Sequence, residues 1–315
     1  MSIELKIKQN ISLAPLTTFK IGGPAKFFIE VKTKEDLVSA FEWAKNEKQK
    51  VYIIGGASNI LINDQGVNGL VIKFTNENIT VRSERLDCGA GASLARALRQ
   101  TVNNNLSGLE WSVGIPSATI GGSVRGNAGA FGTSISESVE TVEVYNIKKK
   151  KFEIFSKKDC HFSYRESIFK TSDNYLIWNV ILKLIRKEAR EINKLVGQAL
   201  KFRSRKQPKL PSAGSVFKNI KIENLRIDNP NLANLAENEN RVKNGMVGVG
   251  WIIELAGLAG KTIGGAKVSL EHANFIINTS KASSEDVVIL ISYIKQQVRN
   301  RFKIQLSEEV QCLGF

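Results

Sequence analysis

The sequence predicts an α+β protein whose subdomains follow one another along the chain. Three observations support this fold class. Short apolar runs typical of strands alternate with amphipathic helices in the first half of the chain. A basic segment with two prolines, KFRSRKQPKLP, separates this part from the last third. The length of 315 residues exceeds what one core usually supports, so we expect two or three domains.

The first half contains two similar cycles of strand and helix. AKFFIEVKT predicts a strand, and KEDLVSAFEWAKNEK predicts a helix with Leu37, Ala40, Phe41 and Ala44 on one face. KVYIIGG and GLVIKF predict two more strands. The second cycle has a strand around LDCGAGA and a helix in SLARALRQTVNNN. VETVEVYNIKKKKFEIFS then predicts a hairpin that turns within its lysine run, and YLIWNVILKLI predicts a long strand.

The last part begins after a basic helix predicted at about residues 187–206. WIIELAGLAG predicts a helix that ends at Gly260, and FIINTS predicts a strand. SSEDVVILISYIKQQVRNRF predicts an amphipathic helix with a serine cap and acidic residues in its first turn. KIQLSEEVQCLGF predicts a closing strand. Residues 221–247 are polar and rich in asparagine, and we interpret them as an insertion.

The composition excludes several classes of protein. Hydrophobic residues make up 42% and charged residues 24%, which is ordinary for a globular protein and argues against disorder. No apolar run approaches the ~20 residues that span a bilayer, and the first residues lack the pattern of a signal peptide. Three distant cysteines and two histidines favour neither a disulfide framework nor a histidine-rich metal site. We therefore expect a cytoplasmic protein with no metal and no membrane insertion.

The net charge of +15 leaves two interpretations open. Between Lys183 and Lys209, ten lysines and arginines face only Glu188 and Glu191. This stretch could bind an anionic molecule, or it could form a solvated helix face, which is the more usual outcome. The other cations are spread along the chain, and no standard nucleic-acid motif is present. We therefore expect no nucleic-acid partner.

Two glycine-rich stretches are the first candidates for a binding site. IIGGASN, which includes residues 55–59, follows a predicted strand, and its backbone N–H groups could surround a diphosphate. It could equally be a turn without a ligand, and it is not the GxGxxG of a dinucleotide-binding unit. GIPSATIGGSVRGNAGAFG, residues 114–132, has six glycines with regularly placed apolar residues, unlike a flexible linker. Together the two stretches favour a cofactor cradle.

Three further positions carry groups that could do chemistry. SAGSVFKN, residues 212–219, is typical of a turn, although the Ser215 hydroxyl could also take part in a reaction. Arg165 in HFSYRESIFK could form a buried structural pair with its neighbouring tyrosine, or it could clamp a carboxylate with two hydrogen bonds. Glu308 and Glu309 are typical of a surface, and the residues alone give no reason to choose between them.

Taken in order, seven segments resemble those of the UDP-N-acetylenolpyruvoylglucosamine reductase family. They are TTFKIGGPA, GGASNILINDQGVNGLVI, GIPSATIGGSVRGNAGAFG, YRESIFK, KQPKLPSAGSVFKN, GWIIELAGLAGKTIGGAKVSLEHANFIIN and LSEEVQCLGF. The resemblance covers nearly the whole chain. Each segment alone is weakly specific, whereas the combination is highly specific.

The resemblance implies a fold, a domain division and a reaction. The fold is an FAD-binding part of the PCMH or vanillyl-alcohol-oxidase type, built from two α+β subdomains, plus a separate α+β substrate domain. The implied divisions are 1–75 joined by the C-terminal strand 304–315, 76–205, and 206–303. NADPH reduces FAD, and flavin N5 then passes hydride to the vinyl carbon of UDP-N-acetylglucosamine-enolpyruvate, which gives UDP-N-acetylmuramate for peptidoglycan. A monomer is expected.

The resemblance also implies roles for individual residues. Ser215 would donate the proton, while Arg165 and Glu309 would stabilise the negative charge that develops beside the substrate carboxylate. Lys218 would assist Ser215 or contact a substrate phosphate. The other implied substrate contacts are Tyr164, Lys206 and Asn219. The implied FAD contacts are Gly55, Gly56, Ala57, Ser58, Asn59, Gly114, Ile115, Pro116, Thr119, Gly121, Gly122 and Ala128.

The sequence departs from the family pattern at three places. GIPSATIGG has Ser117 where the family more often has glycine, and the loop is one residue longer. Ile220 follows Asn219 where proline is frequent. The stretch between Arg165 and Ser215 has little room for the extra tyrosine-bearing loop of some members, which indicates the shorter type. The competing functions are an alcohol-oxidising flavoenzyme of the same fold and a non-enzymatic protein that binds anions or nucleic acid.

Overall fold

The computed structural model describes residues 5–315, so the first four residues of the predicted 1–75 subdomain lie outside the described residues. The strands are β1 (Lys8–Ser12), β2 (Pro24–Val31), β3 (Val51–Ile54), β4 (Ile60–Ile62), β5 (Val67–Phe74), β6 (Ile79–Arg82), β7 (Arg85–Gly89), β8 (Leu106–Ser107), β9 (Gly129–Ala130), β10 (Thr133–Ser134), β11 (Val139–Asn146), β12 (Lys151–Ser156), β13 (Tyr175–Lys183), β14 (Ile185–Arg186), β15 (Ser212–Ser215), β16 (Ile220–Lys221), β17 (Val242–Lys243), β18 (Met246–Val247), β19 (Thr262–Ile263), β20 (Ala266–Val268), β21 (Phe275–Asn278) and β22 (Gln311–Leu313). The helices are α1 (Lys34–Asn46), α2 (Leu94–Asn103), α3 (Ile120–Arg125), α4 (Ile168–Thr171), α5 (Ala189–Lys206), α6 (Ile222–Asp228), α7 (Pro230–Asn238), α8 (Val249–Leu255) and α9 (Ser284–Phe302).

The chain divides into two compact units. Unit 1 contains the described part of Met1–Ile11 together with Ala25–Ala57 and Asn68–Ser204. Unit 2 contains Ser12–Pro24, Ser58–Val67 and Arg205–Phe315. The predicted three-part division of the chain is finer than these units and stays a prediction.

Unit 1 is built on two sheets. The first has the strand order β1-β2-β5-β3, with β3 and β5 parallel. The second has the order β12-β11-β13-β7-β6, and its strands are antiparallel. The predicted hairpin is confirmed, because Asn146 pairs with Lys151 across the lysine-containing turn. The apolar face predicted for α1 is confirmed too, since Leu37, Ala40 and Ala44 are buried in the core of this unit.

Unit 2 combines three small sheets with four helices among the described residues. One sheet has the order β15-β21-β20-β19, a second has β16-β18-β17, and β22 pairs in parallel with β4. Helix α9 packs Val287, Leu290, Ile291, Ile294 and Val298 into the core. The predicted serine cap of this helix is confirmed: Ser283 accepts a hydrogen bond from Asp286 N–H, and the Asp286 carboxylate accepts one from Ser283 N–H.

Two expectations about unit 2 are wrong in detail. Helix α8 ends at Leu255 rather than at Gly260, because Gly257 adopts a φ of 73°, which ends a helix. The closing strand is only β22, since the residues before it form just an isolated bridge between Phe217 and Glu308.

The stretch 221–247, interpreted from the sequence as an insertion, includes α6 and α7. These helices bury Ile222, Leu225, Leu232, Ala233 and Ala236 in the core. Its interpretation as an insertion stays a prediction.

The described residues also bear on the class of protein. Within residues 5–315, no helix has the length and apolar character needed to cross a membrane. In the same range, no group of three or more His, Cys, Asp or Glu side chains is placed to hold a metal ion. Cys88, Cys160 and Cys312 are free thiols, and burial raises the pKa of Cys88 to about 12, which keeps it protonated at neutral pH.

The cap of α9 gives a test of the folding of unit 2. Replacing Ser283 with alanine removes the acceptor for Asp286 N–H, so we expect the free energy of unfolding to fall by about 1 kcal/mol. Chemical denaturation followed by circular dichroism measures this change. Ser292→Ala, on the exposed side of the same helix, is the control and should leave stability unchanged or slightly raised. Equal losses in both variants would contradict the capping role.

Candidate active site

The segment SAGSVFKN is part of a sheet. Ser212–Ser215 forms β15, which pairs antiparallel with β21 through Ser212 opposite Ile277 and Ser215 opposite Phe275. The register shifts between these pairs, and Gly214 has a φ of 79°. A glycine in this conformation lets one extra residue enter the strand as a bulge. The prediction of a turn is therefore wrong, because the glycine that suggested a turn forms a bulge.

The backbone after Ser215 runs beside the C-terminal segment of the chain. Glu309 N–H donates to the Val216 carbonyl at 2.7 Å, and Lys218 N–H donates to the Ser307 carbonyl at 2.9 Å. Phe217 and Glu308 form the antiparallel bridge between them. The segment that carries Ser215 and Lys218 is thus brought beside the segment that carries Glu309, which is distant in sequence but lies in the same unit.

The structure distinguishes the two glutamates that the sequence alone could not separate. The Glu308 carboxylate is exposed and pairs with Lys295 Nζ on α9 at 2.8 Å. Glu309 is half-buried, and its carbonyl accepts from Asn59 Nδ2 at 3.1 Å. The Asn59 carbonyl in turn accepts from Gln311 N–H at 3.1 Å. Asn59, at the end of the first glycine stretch, is therefore tied to the backbone on both sides of Val310.

Asn219 and Lys206 lie in the same unit with different surroundings. Asn219 Oδ1 accepts from Val249 N–H at 3.2 Å, so this side chain caps the start of α8. Lys206 is the exposed last residue of α5. Burial lowers the pKa of His272, and the charge of Lys206 acts in the same direction, whereas Glu254 opposes it. Lys206 is therefore close enough to influence the His272 imidazole electrostatically.

The two glycine stretches meet within unit 1. A Cβ added to Gly56 would lie 1.4 Å from the Ser117 carbonyl oxygen, and one added to Gly55 would lie 2.5 Å from Thr119 Oγ1. The first stretch therefore needs glycine because the second presses against it. Ala57 continues the turn with a φ of 46°, in the left-handed region that favours glycine.

The second glycine stretch is anchored on the segment that leads into α2. The Ala118 carbonyl accepts from Leu94 N–H, and Gly121 N–H donates to the Ala90 carbonyl, each at 2.9 Å. A Cβ on Gly121 would lie 2.8 Å from Ala90 Cβ, so only glycine fits there. Ser117, at the position where the family resemblance leads us to expect glycine, has a φ of 54°. A glycine would adopt this left-handed conformation without strain.

Arg165 has strained backbone and a fixed side chain. It lies in a tight turn closed by hydrogen bonds between Ser163 and Glu166, with a φ of 57°. Its guanidinium donates to the Gly129 carbonyl at 2.8 Å and lies 5.1 Å from the centre of the Tyr164 ring. Strain of this kind persists where the surrounding structure enforces it, often at functional sites. The second glycine stretch thus orients Arg165.

Two residues near this stretch were not predicted from the sequence. Asn127 is buried with a φ of 42°; its side chain donates to the Ser163 carbonyl at 2.8 Å and accepts from Ser136 N–H at 3.3 Å. It joins the glycine stretch to the Arg165 turn. Asn127 lies between glycines in the sequence, a setting in which asparagine often adopts the left-handed conformation, and this pattern could have identified it.

Arg203 is the second missed residue. It is 9% exposed, and its Nη2 donates to the Trp111 carbonyl at 3.1 Å beside Gly114. Across residues 5–315, Arg203 Nε is one of two buried side-chain polar atoms with no hydrogen-bond partner. Burial lowers the pKa of this guanidinium. Its spacing from Ile192 and Ala199 places it on the buried face of α5. This burial was not predicted from the sequence, because Arg203 lies among other positively charged residues.

The predicted site residues are divided between the two units. Arg165, Tyr164 and the second glycine stretch belong to unit 1, as do Gly55, Gly56 and Ala57. Ser58, Asn59, Lys206, Ser215, Lys218, Asn219 and Glu309 belong to unit 2.

Known families match both parts of the chain. The model of the FAD binding domain family matches residues 25–148, which contain both glycine stretches. The model described as UDP-N-acetylenolpyruvoylglucosamine reductase, C-terminal domain, matches residues 206–313, which contain Ser215 and Glu309.

Curated relatives and a solved structure match nearly the whole chain. UDP-N-acetylenolpyruvoylglucosamine reductase of Solibacter usitatus is 36% identical over 311 residues, covering 98% of this chain and 97% of the relative. The enzyme of the same name from Caldanaerobacter subterraneus is 34% identical, covering 99% and 95%. The crystal structure of UDP-N-acetylenolpyruvylglucosamine reductase from Thermus caldophilus superposes with a TM-score of 0.77 at 29% identity, covering 98% and 99% of the two chains. The predicted α+β fold, with its PCMH-type FAD-binding domain, is confirmed.

The contact between the glycine stretches can be tested by adding one methyl group. Gly56→Ala would force its Cβ into the Ser117 carbonyl, so the loops must separate, at a cost of about 1–3 kcal/mol or more. We expect a lower melting temperature and less bound flavin after purification. Gly197→Ala is the matched control, because no atom lies within 4 Å of the added Cβ and the residue is helical. A Gly56→Ala protein with normal stability and flavin content would contradict the close packing.

Proposed function

Because the chain belongs to the UDP-N-acetylenolpyruvoylglucosamine reductase family, we propose that it reduces UDP-N-acetylglucosamine-enolpyruvate to UDP-N-acetylmuramate with NADPH. It is a flavoprotein oxidoreductase of peptidoglycan precursor synthesis. The observation that supports the assignment of residues is the backbone pairing of Val216 and Lys218 with residues 307–309, because it brings the segment after Ser215 beside the segment that contains Glu309. The reductase-type match over 206–313 favours this reaction over alcohol oxidation on the same fold.

The chain's own residues fit the binding of FAD. When bound, FAD supplies the hydride that the vinyl carbon of the substrate accepts. Backbone N–H groups of small residues can approach a diphosphate closely. The two glycine stretches abut without room for a Cβ at Gly55 or Gly56, as expected of a cradle formed by backbone. We assign FAD contacts to Gly55, Gly56, Ala57, Ser58, Asn59, Gly114, Ile115, Pro116, Thr119, Gly121, Gly122 and Ala128.

Arg165 and Glu309 have the chemistry that the reduced substrate needs. Addition of hydride to the vinyl carbon moves negative charge toward the carboxylate end of the enolpyruvyl group, and fixed donors stabilise such charge. A guanidinium remains positive at all working pH values and presents five N–H donors. The contact of Arg165 with the Gly129 carbonyl holds it in one orientation. Glu309, if protonated, would add a hydrogen bond from the C-terminal segment.

Ser215 is the proposed proton donor to the carbon that bears the ether oxygen. The vinyl carbon gains hydride and becomes a methyl group, so the adjacent carbon must gain one proton to complete the reduction. A serine hydroxyl is a weak acid in water, so the site must favour the transfer. Lys218 lies three residues further along the same segment and would assist Ser215 or contact a substrate phosphate.

The remaining finer assignments belong to the same proposal. Tyr164, Lys206 and Asn219 contact the sugar nucleotide, although Asn219 also caps α8. Most of the stretch between Arg165 and Ser215 forms α4, β13, β14 and α5, which supports the shorter type without a tyrosine loop. NADPH as the electron donor, a monomeric state and the division at 75/76 and 205/206 remain predictions.

The reaction itself is tested with the purified protein. We expect an absorption spectrum typical of flavin, and rapid NADPH oxidation only when the enolpyruvyl sugar nucleotide is present. Mass spectrometry should detect a product heavier than the substrate by two hydrogens. A colourless protein that cannot be reconstituted with FAD would contradict the proposal, as would fast flavin reoxidation by oxygen with an alcohol substrate.

The role of Ser215 is tested by separating the two half-reactions in stopped flow. In Ser215→Ala, flavin reduction by NADPH should keep its rate, whereas reoxidation by the enolpyruvyl substrate should slow about 10²–10⁴-fold, the usual contribution of a positioned acid. Ser212→Ala, in the same strand, is the control and should leave both rates unchanged. Normal reoxidation in Ser215→Ala would disprove the assignment.

A further inference from the structure

We propose that Asn274 is a positioning residue for proton transfer, because its buried side-chain amide fixes the backbone segment that carries Ser215. Asn274 directly precedes β21 and is 2% exposed. This inference rests on the proposed function. It assigns Asn274 no contact with the substrate.

The amide of Asn274 makes a pair of hydrogen bonds with the backbone of one residue, Phe217. Its Oδ1 accepts from Phe217 N–H at 3.0 Å, and its Nδ2 donates to the Phe217 carbonyl at 2.8 Å. The Asn274 backbone carbonyl also accepts from Val216 N–H at 2.8 Å. The side chain therefore continues, past the end of β15, the pairing that a strand backbone would otherwise supply.

Because Phe217 is buried, loss of its two hydrogen bonds with the Asn274 side chain would be destabilising. Phe217 is 1% exposed, so water is poorly placed to replace Asn274 at its N–H and carbonyl groups. A buried polar group left without a partner costs about 1–3 kcal/mol. Among side chains of this size, a carboxamide offers a donor and an acceptor at fixed positions, which match the carbonyl and the N–H of Phe217. An apolar side chain of the same size would leave both groups of Phe217 unsatisfied.

Residues on the other side of the segment belong to the proposed site. Val216 and Lys218 bond to Glu309 N–H and to the Ser307 carbonyl, respectively. Residues 215–218 therefore form a middle segment between Asn274 and the C-terminal segment. If the Asn274 side-chain amide is removed, Phe217 loses both hydrogen bonds on that side, and beyond β15 only the bond from Val216 N–H to the Asn274 carbonyl remains there, so Ser215 and Glu309 are held less firmly at a fixed separation. A displacement near 1 Å is enough to reduce catalysis strongly.

Asn274 is itself held by the residue two positions before it. Asn274 N–H donates to His272 Nδ1 at 3.2 Å. Burial lowers the pKa of His272, which favours the neutral ring that can accept this hydrogen bond. A Cβ added to Gly250 on α8 would lie 2.8 Å from His272 Cε1, so the α8 backbone packs closely on the ring. The amide is thus positioned before any substrate binds.

The test uses two substitutions of Asn274 and one matched control, all in the full-length holoenzyme. Asn274→Ala removes both side-chain hydrogen bonds. Asn274→Asp keeps the size: its neutral form can still donate and accept, whereas its ionised form can only accept. Asn278→Ala is the control, because Asn278 at the other end of β21 also bonds backbone groups, the Phe19 carbonyl at 3.2 Å and Ala282 N–H at 3.0 Å. No role in the reaction is assigned to Asn278.

The inference predicts a change in one half-reaction only. In Asn274→Ala, flavin content and flavin reduction by NADPH should match the wild type, whereas reoxidation by the enolpyruvyl substrate should slow about tenfold or more. In Asn274→Asp, the reoxidation rate relative to wild type should rise as the pH falls from about 8 to about 6, because burial raises the pKa of the new carboxyl and protonation restores its donor. Asn278→Ala should leave the ratio of the two half-reactions unchanged, even where it lowers the melting temperature.

Two results would overturn the inference without touching the proposed function. One is a wild-type ratio of half-reactions in both Asn274 variants, and the other is an equal slowing of both half-reactions. If Asn274→Ala does not fold, the pH profile of Asn274→Asp decides alone, and a profile parallel to that of the wild type would overturn the inference. Failure of the wild-type protein to reduce the enolpyruvyl substrate would instead overturn the proposed function, and this inference with it.

Discussion

Backbone hydrogen bonds between residues 216–218 and residues 307–309 are the interaction on which the candidate site depends. They join two segments that are distant in sequence, one following Ser215 and the other containing Glu309. The pairing is possible because a bulge at Gly214 redirects the chain at the end of β15. The proposed acid and the second polar group of the candidate site are therefore brought together by backbone pairing rather than by neighbouring positions in the sequence.

Side chains replace backbone partners wherever regular structure ends near the site. Asn274 pairs with Phe217 beyond β15, Asn219 caps α8, and Asn127 joins the second glycine stretch to the Arg165 turn. Carboxamides suit this role because they donate and accept at fixed positions, as a peptide group does. Residues that bind the reactants can then have irregular backbone without leaving buried polar groups unsatisfied.

Regular elements were predicted well from the sequence, and their ends were not. The period of apolar residues identified α1, α2, α9 and most strands of the two large sheets, but not β1 or β6, because burial of one face is a local pattern. The end of α8 was placed too late, since two glycines were equally plausible stops. Helices α6 and α7 were not predicted because their buried residues are spaced among asparagines, and only the folded structure shows that they contribute to the core of unit 2.

The sequence by itself determined the fold class, the glycine stretches and, through its resemblance to known reductases, the family. These depend on local patterns and on the order of motifs, which a linear chain displays. Only the tertiary structure showed that Glu308 and Glu309 have different surroundings, that Arg203 is buried within a basic helix, and that the segment ending at Ser215 is a bulged strand rather than a turn. Each of these depends on contacts between distant residues: the ion pair with Lys295, the carbonyl of Trp111 and the partner strand β21. Such contacts exist only after the chain has folded.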